Sequence, residues 1–315
     1  MKKAWSILCK LLIAMGCLAL LLLLCPTPGI AGDADVRHDA APAAENEKPL
    51  SATELNKQLT NPVSDIWSFT IQQNNYHLDR PDRWQSNLQF QPVMPIALTK
   101  DWNLITRPVF QLYNSTPYPH AYRPKGSLKP KVEYPRTTGL GDTILMEMFS
   151  PGRSLVGNWL LGIGPTFIFP TATSKYTGQE KWQAGPAAVV GYLSDKWILG
   201  GFVQNWSSFA GDKHRKSTNQ MNLQPFASYF LKDGWAVGYS GNVLANWQAE
   251  KDNRWTVPIG LGVSKIVKFG KLPIKLSLAA QYMPIRPDDF GQMWNIQLQI
   301  TPVLPKLIKG VLFDF

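Results

Sequence analysis

The chain has 315 residues, of which 44% are apolar, 11% aromatic and only 17% charged, and its formal net charge is +10. This composition is too apolar and too aromatic for a disordered chain, while 24 glycines and 25 prolines argue against an all-helical fold. The only long apolar run lies at the N-terminus, which excludes a membrane protein built from several helices. The body of the chain is therefore aromatic-rich and charge-poor, without a membrane helix.

Residues 1–31 have the pattern of a signal peptide. Three lysines precede the apolar run 11–24, which is short for a membrane span, and two helix-breaking prolines follow it. Small residues at Gly29 and Ala31 predict cleavage after Ala31. We therefore expect export from the cytoplasm.

All three cysteines, Cys9, Cys17 and Cys25, lie in this segment. A lipoprotein signal is one alternative, although Leu24 is too bulky for the position before a lipidated cysteine, and an uncleaved anchor is another. Cleavage would leave no disulfides and no cysteine ligands for zinc. Because three lysines leave with the signal, 29 basic residues would face 22 acidic ones, a net charge of +7. In an exported protein this charge suits a membrane surface or an anionic ligand, and we expect no nucleic acid partner.

A polar leader follows the signal peptide. Residues 32–50 are rich in Ala, Asp, Glu and Pro, which predicts a flexible linker. Residues 51–62 then predict a short helix, because Ser51 and Glu54 form a capping box and Pro62 ends the pattern. Such a short helix is marginal alone and must dock on another part of the protein.

From residue 65 to residue 303, polar or small residues alternate with apolar ones. In the last segment, for example, Asn295, Gln297 and Gln299 alternate with Ile296 and Leu298. Successive residues of a strand point to opposite faces, so each strand has one apolar face and one polar face. Twelve strands are predicted, at 66–75, 84–97, 101–113, 139–149, 156–170, 182–193, 197–210, 219–231, 234–247, 254–268, 272–286 and 291–303.

The strand lengths and connections favour a barrel in a membrane. Most strands exceed the about 5–6 residues usual in globular proteins and reach the about 9–11 that a tilted membrane strand needs. Short turns follow the even-numbered strands and longer loops the odd-numbered ones, as in outer-membrane barrels. The sequence therefore predicts an all-β fold, an antiparallel transmembrane β-barrel of about 12 strands (65–303) with a short N-terminal helix before it. The predicted location is the outer membrane of a Gram-negative-type bacterium, after signal-peptide export.

The aromatic residues and the C-terminus agree with this interpretation. Tryptophans near strand ends predict girdles at both membrane interfaces. They are Trp84, Trp102, Trp182, Trp197, Trp235, Trp247 and Trp255. Residues 304–315 form a C-terminal tail whose final Phe315 resembles the insertion signal of outer-membrane barrels. The expected partners are thus outer-membrane lipid and, during biogenesis, the barrel-assembly machinery.

Short motifs that occur in order between residues 52 and 303 are similar to those of one known family. They include Asn61-Pro62-Val63, Trp102-Asn103-Leu104-Ile105-Thr106-Arg107-Pro108, Gly139-Leu140-Gly141-Asp142, Phe169-Pro170-Thr171-Ala172-Thr173, Gln204-Asn205-Trp206-Ser207, Trp255-Thr256-Val257-Pro258-Ile259-Gly260 and Gly270-Lys271-Leu272-Pro273. The motifs resemble the transporter-like outer-membrane β-barrel family named for the MetA pathway of phenol degradation. The resemblance implies a barrel that passes small, often aromatic or apolar, compounds. The tail from Lys306 onward departs from the family pattern.

Catalytic chemistry is not indicated. The histidines of the exported chain lie in the linker, in loops or at strand ends, without the spaced partners of a metal site. The best hydrolase pair, His214 and Ser217, lies in a polar loop. We therefore expect no enzyme activity, no catalytic residue, no metal and no cofactor.

The candidate functional residues lie on the polar strand face, which would line the lumen of the barrel. Most are neutral amides, and Arg107, Glu147 and Lys275 are candidates for a charged constriction. Ten residues form the expected solute path: Gln89, Gln91, Arg107, Glu147, Gln224, Asn242, Asn246, Lys275, Gln281 and Gln297. Side chains fill much of a narrow barrel, so an interior that only holds the barrel together is the alternative to a narrow path. The short helix would plug the periplasmic mouth or rest inside it.

Two functions of different class follow from this interpretation. The first is an outer-membrane channel or transporter of small hydrophobic or aromatic compounds. The alternative is a structural or adhesion barrel that acts through its extracellular loops, above all loop 114–138. An enzyme is a distant third.

Overall fold

The computed structural model describes residues 50–124, 129–270, 272–305, 308 and 310–313. The expected signal peptide and all but the last residue of the expected linker lie outside the described residues.

The short helix predicted over 51–62 is α1, Ala52–Thr60. The Ser51 hydroxyl accepts the backbone N–H of Glu54 at 3.1 Å, which is the N-cap contact that the capping-box pattern predicts. No helix within the described part of the chain is long and apolar enough to cross a membrane. A second helix, α2 (Arg153–Val156), is a single turn between two strands.

Most of the remaining described chain is β-strand. The strands are β1 (Ser68–Leu78), β2 (Arg83–Ala97), β3 (Trp102–Pro117), β4 (His120–Tyr122), β5 (Lys131–Glu133), β6 (Arg136–Gly139), β7 (Thr143–Pro151), β8 (Trp159–Phe169), β9 (Lys181–Leu193), β10 (Trp197–Gly211), β11 (Asn219–Phe230), β12 (Trp235–Ser240), β13 (Val243–Asn246), β14 (Trp255–Phe269), β15 (Leu272–Ile285) and β16 (Gln292–Pro302). Strands β4 and β5 form a separate hairpin in one of the loops.

The other fourteen strands form one antiparallel sheet that closes on itself. Strand β1 pairs with β16, where Asn74 lies opposite Gln297 and Gln72 opposite Gln299. Strands β6 and β7 both pair with β3, and β12 and β13 both pair with β11 and β14, so each of these pairs is one barrel strand with an interruption. The barrel therefore has twelve strands, and the predicted fold class is confirmed.

The connections alternate in length, with one exception. Short turns join the strands at one end, which we call the periplasmic end because outer-membrane barrels have their tight turns there. These turns are 98–101, 152–158, 194–196 and 231–234, and β15 begins at Leu272 shortly after β14 ends at Phe269. At the outer end, the expected long loop 76–83 is only 79–82, because β1 continues to Leu78 in register with Arg83 of β2.

The two strand faces differ as the alternation predicts. In β16, the apolar residues Ile296, Leu298 and Ile300 are 45–49% exposed on the outer surface, whereas Asn295 is 2% exposed and faces inward. An apolar surface of this kind is stable only in contact with an apolar solvent. The outer surface of the barrel is therefore suited to lipid.

Tryptophans mark the periplasmic rim. Trp102, Trp159, Trp197 and Trp235 are the first residues of β3, β8, β10 and β12, and all four are exposed. Trp159 was not among the predicted girdle tryptophans, because its predicted strand begins three residues earlier, at residue 156. Their repeated position after a periplasmic turn is typical of an aromatic girdle.

The described part of the C-terminal tail returns to the periplasmic rim. The N–H groups of Leu312 and Phe313 donate to the carbonyls of Ala97 and Leu98 at 3.0 and 2.9 Å. The tail thus contacts the turn between β2 and β3, while its apolar side chains remain exposed.

Candidate functional site in the barrel lumen

Two cavities lie inside the barrel. We call the one nearer the periplasmic end the inner cavity (about 210 Å³) and the one nearer the outer end the outer cavity (about 240 Å³). The inner cavity is lined by Leu59 and Thr60 of α1, and the outer cavity reaches Tyr76 near the outer end of β1. Seven residues line both cavities: Gln91, Arg107, Phe202, Gln224, Ser240, Gln297 and Gln299. The cavities therefore lie in series along the lumen and meet at this shared layer.

One wall of the lumen, formed by β15, β16, β1, β2 and β3, carries a network of side-chain amides. Asn74 accepts from Gln297 at 3.0 Å, Gln72 accepts from Gln299 at 2.7 Å, and Gln91 donates to Gln89 at 2.7 Å. Further amide bonds join this network to β3 and β15. Because buried amides are costly without partners, the network fixes their orientation in a narrow space.

The opposite wall is apolar. Strands β7 to β12 contribute a buried cluster that includes Met146, Met148, Phe202, Phe226 and Ala236. A Cβ on the inward-facing Gly162 would meet the sulfur of Met148 at 2.6 Å, so a larger residue there would force Met148 to move. The lumen thus has an amide wall and an apolar wall.

Two cations line the cavities. The Arg107 guanidinium donates through Nη2 to Gln91 Oε1 at 2.7 Å, and its buried Nε has no partner among the described residues. Lys275 donates through Nζ to Thr60 Oγ1 at 2.6 Å. The described residues that line the two cavities include no aspartate and no glutamate. The lumen therefore carries positive charge in a polar, partly apolar setting.

Eight of the ten predicted lumen residues line one or both cavities. They are Gln89, Gln91, Arg107, Gln224, Asn242, Lys275, Gln281 and Gln297. Asn246 lines neither, because it lies at the outer end of β13, where its side chain accepts the backbone N–H of Gln248 at 3.2 Å.

The structure corrects the placement of Glu147. Its neighbours Met146 and Met148 are buried in the lumen cluster, so Glu147 points to the outer surface. It lies in register with Thr106, whose hydroxyl donates to Glu147 Oε2 at 2.7 Å. The predicted charged constriction therefore loses its only acid.

Helix α1 is held at the periplasmic mouth by polar contacts. The Asn56 amide, which is fully buried, donates to the carbonyl of Gly234 at 2.9 Å and to the Ser264 hydroxyl at 3.1 Å. The Thr53 hydroxyl donates to the carbonyl of Leu231 at 3.0 Å. These contacts join the helix to the turn between β11 and β12 and to the inner face of β14.

At the outer end, loop 170–180 folds over the lumen. Gln179 bonds to Gln220 of β11 at 2.9 Å, and the carbonyl of Thr177 accepts from Asn114 of β3. The interruption between β6 and β7 receives this loop, because the Asp142 carboxylate accepts the N–H groups of Ala172 and Gln179 at 3.2 and 2.7 Å.

Replacing Asp142 by alanine should free loop 170–180. Hydrogen bonds to a charged acceptor contribute about 1.5–3 kcal/mol each, so the loss of two should make trypsin cleavage after Lys175 at least about tenfold faster. Asp195→Ala, in a periplasmic turn, is the control and should leave the rate unchanged. Equal cleavage of both variants would show that Asp142 does not hold the loop.

The apolar wall and the inward loop were not predicted from the sequence. The sequence does contain a pattern that indicates the apolar wall, because β7 to β10 carry apolar residues on both faces, as in Ile144-Leu145-Met146. The loop had none, since Asp142 and Gln179 are far apart in the chain.

The described residues contain no group of three or more His, Cys, Asp or Glu side chains that could hold a metal ion. The His214 ring contacts the Asp212 carboxylate at 3.0 Å on an exposed loop.

A closed twelve-strand barrel with an apolar outer surface and an aromatic rim defines the class, the outer-membrane type of β-barrel. No family model and no curated protein matches the chain. An outer membrane channel from Pseudomonas putida F1 is similar in structure, with a TM-score of 0.54 and 13% identity over 78% of this chain and 98% of that chain. The NanC porin gives a TM-score of 0.44 and 7% identity over 76% of this chain and 99% of that chain. The first similarity supports the fold alone, and the second is too low to support a conclusion.

Proposed function

We propose that the protein is an outer-membrane channel that passes small hydrophobic or aromatic compounds and has no enzymatic activity. The observation that carries this proposal is the series of two cavities inside a closed barrel, with an amide wall facing an apolar wall. A solute with an apolar body and a polar group can contact both walls at once. The structurally similar protein from Pseudomonas putida F1 is itself described as an outer membrane channel.

The proposal includes the setting of the channel. After export by the signal peptide 1–31, the barrel would insert into the outer membrane of a Gram-negative bacterium through the assembly machinery. Its outer surface would then contact lipid. Membership of the family named for the MetA pathway of phenol degradation belongs to the same proposal.

Purified residues 32–315, reconstituted in proteoliposomes, test this function. L-Phenylalanine crosses lipid slowly, so we expect the barrel to raise its uptake at least about tenfold over protein-free liposomes. Maltose, which is larger and lacks an apolar ring, should enter more slowly. A chain that lacks residues 32–62 serves as a second sample. If neither chain admits solute or conducts ions in a planar bilayer, the channel proposal is wrong.

The outer loop 118–135 favours a second candidate function, an adhesion barrel. It carries the β4–β5 hairpin, where the Tyr122 hydroxyl bonds to Glu133 at 2.8 Å and Val132 is exposed. A structured hairpin can present a binding surface. Deleting this loop should abolish surface attachment if the barrel is an adhesin, and should leave solute uptake intact if it is a channel.

A further inference from the structure

We propose that the lumen is selective for anions and that its inner cavity binds a small carboxylate with an apolar body. This inference rests on the proposed channel function for selectivity, whereas the binding site stands on its own geometry. Arg107 and Lys275 both line the inner cavity, and no acidic side chain of the described chain lines it with them.

Arg107 has donors available for a ligand. Among the described residues, its one bond runs from Nη2 to Gln91, and its buried Nε has no partner. A guanidinium carries five N–H donors in a planar fork that matches the two oxygens of a carboxylate. An uncompensated buried guanidinium is costly, and a bound anion would remove that cost.

Lys275 provides the second positive charge from another strand. Its ammonium group has three donors, and its bond to Thr60 uses one of them. Thr60 belongs to α1, so the helix orients this cation towards the inner cavity. An anion that passes between the helix and the shared layer therefore meets both cations.

The apolar body of the ligand follows from the position of two phenylalanines. Arg107 on β3 and Lys275 on β15 are separated around the barrel by β2, β1 and β16. Strand β10 lies on the opposite side of the barrel from this group of strands. Phe202 of β10 and Phe226 of β11 line the inner cavity from there. A carboxylate held by the cations would thus place its apolar part against these rings.

The lumen can prefer anions because Glu147 points outward and leaves the charge of Arg107 uncancelled. Inside a narrow, poorly hydrated lumen, charges interact more strongly than in water, so one acid beside Arg107 would cancel much of its field. Glu147 bonds to Thr106 on the outer surface instead. The positive charge of the shared layer is therefore not neutralised from β7.

The reversal potential in a planar bilayer under a KCl gradient measures the selectivity. We expect the unaltered chain to prefer chloride, and Arg107→Gln and Lys275→Gln each to shift the reversal potential towards zero. Lys265→Gln is the control, because it removes the same charge from β14 at a residue that stacks on Trp235 and lines neither cavity. If the unaltered chain prefers cations, the inference of anion selectivity is wrong, while the proposed channel function is unaffected.

Equilibrium dialysis of labelled benzoate against the folded barrel in detergent measures the site without requiring conduction. Benzoate should bind, benzyl alcohol should bind at least about tenfold more weakly, and Arg107→Gln should weaken benzoate by a similar factor. Each variant is first checked for folding by its gel migration before and after boiling. If benzyl alcohol binds as well as benzoate, or if Lys265→Gln weakens benzoate as much as Arg107→Gln, the anion site does not exist. If the barrel binds benzoate but never conducts ions, the proposed channel function and its anion selectivity are wrong, whereas the proposed carboxylate-binding site is supported.

Discussion

An arginine at Leu298 should prevent stable insertion of the barrel, whereas an arginine at Gln297, one residue earlier, should be accepted. Leu298 is 49% exposed on the outer surface in the middle of β16, while Gln297 lines both cavities. A charge that faces lipid near the midplane costs about 2–4 kcal/mol in such barrels. The same charge in the lumen faces the side-chain amides of Asn74 and Gln299 instead of lipid.

The measurement is the free energy of unfolding in lipid vesicles, followed with urea, together with migration in detergent gels before and after boiling. Leu298→Arg should lose about 2–4 kcal/mol or fail to insert, and Gln297→Arg should stay close to the unaltered chain. Leu261→Arg, on the outer face of β14, should repeat the first result, because Leu261 is 60% exposed. Equal losses at both faces would contradict the assignment of the outer surface to lipid.

Deleting residues 50–62 should raise the conductance of the barrel several-fold. Helix α1 supplies part of the lining of the inner cavity, and Asn56 ties it to Gly234 and Ser264. Without the helix, the lumen below the shared layer widens, and the shared layer alone limits the flow. Single-channel recording of both chains in the same salt measures the change.

The matched control is a deletion of residues 33–48, which shortens the leader and leaves α1 and its contacts in place. Its conductance should equal that of the unaltered chain. If the two deletions have the same effect, the helix does not obstruct the lumen. A gel-migration check is needed here as well, because the lost contacts also stabilise the turn between β11 and β12.

The sequence predicted the strands well because membrane strands are long and each has one face in lipid. The alternation failed at β7, where Leu145 and Phe149 face lipid while Met146 and Met148 fill the lumen. Both faces are apolar there, so the single acid Glu147 was assigned to the lumen by chemistry instead of by register. The pairing of Ile105 with Met148, both of them buried, shows that Met148 faces inward and Glu147 outward.

Contacts between distant parts of the chain could not be predicted from the sequence. The capping box predicted α1, but not its bonds to β14 and β15, which lie about two hundred residues further on. Loop 170–180 reads as an ordinary polar outer loop. Its inward fold depends on the Asp142 carboxylate in the interruption between β6 and β7, and no local sequence pattern predicts this contact.

The row of Trp102, Trp159, Trp197 and Trp235 occupies β3, β8, β10 and β12, which is one half of the circumference. On the other half, the strands end at the same rim in Phe269, Leu272 and Pro302. Indole rings fix depth at the interface more firmly than aliphatic side chains do. In a bilayer thinner than the apolar band, the barrel should therefore pivot about the tryptophan side and lean, instead of shifting evenly along the membrane normal.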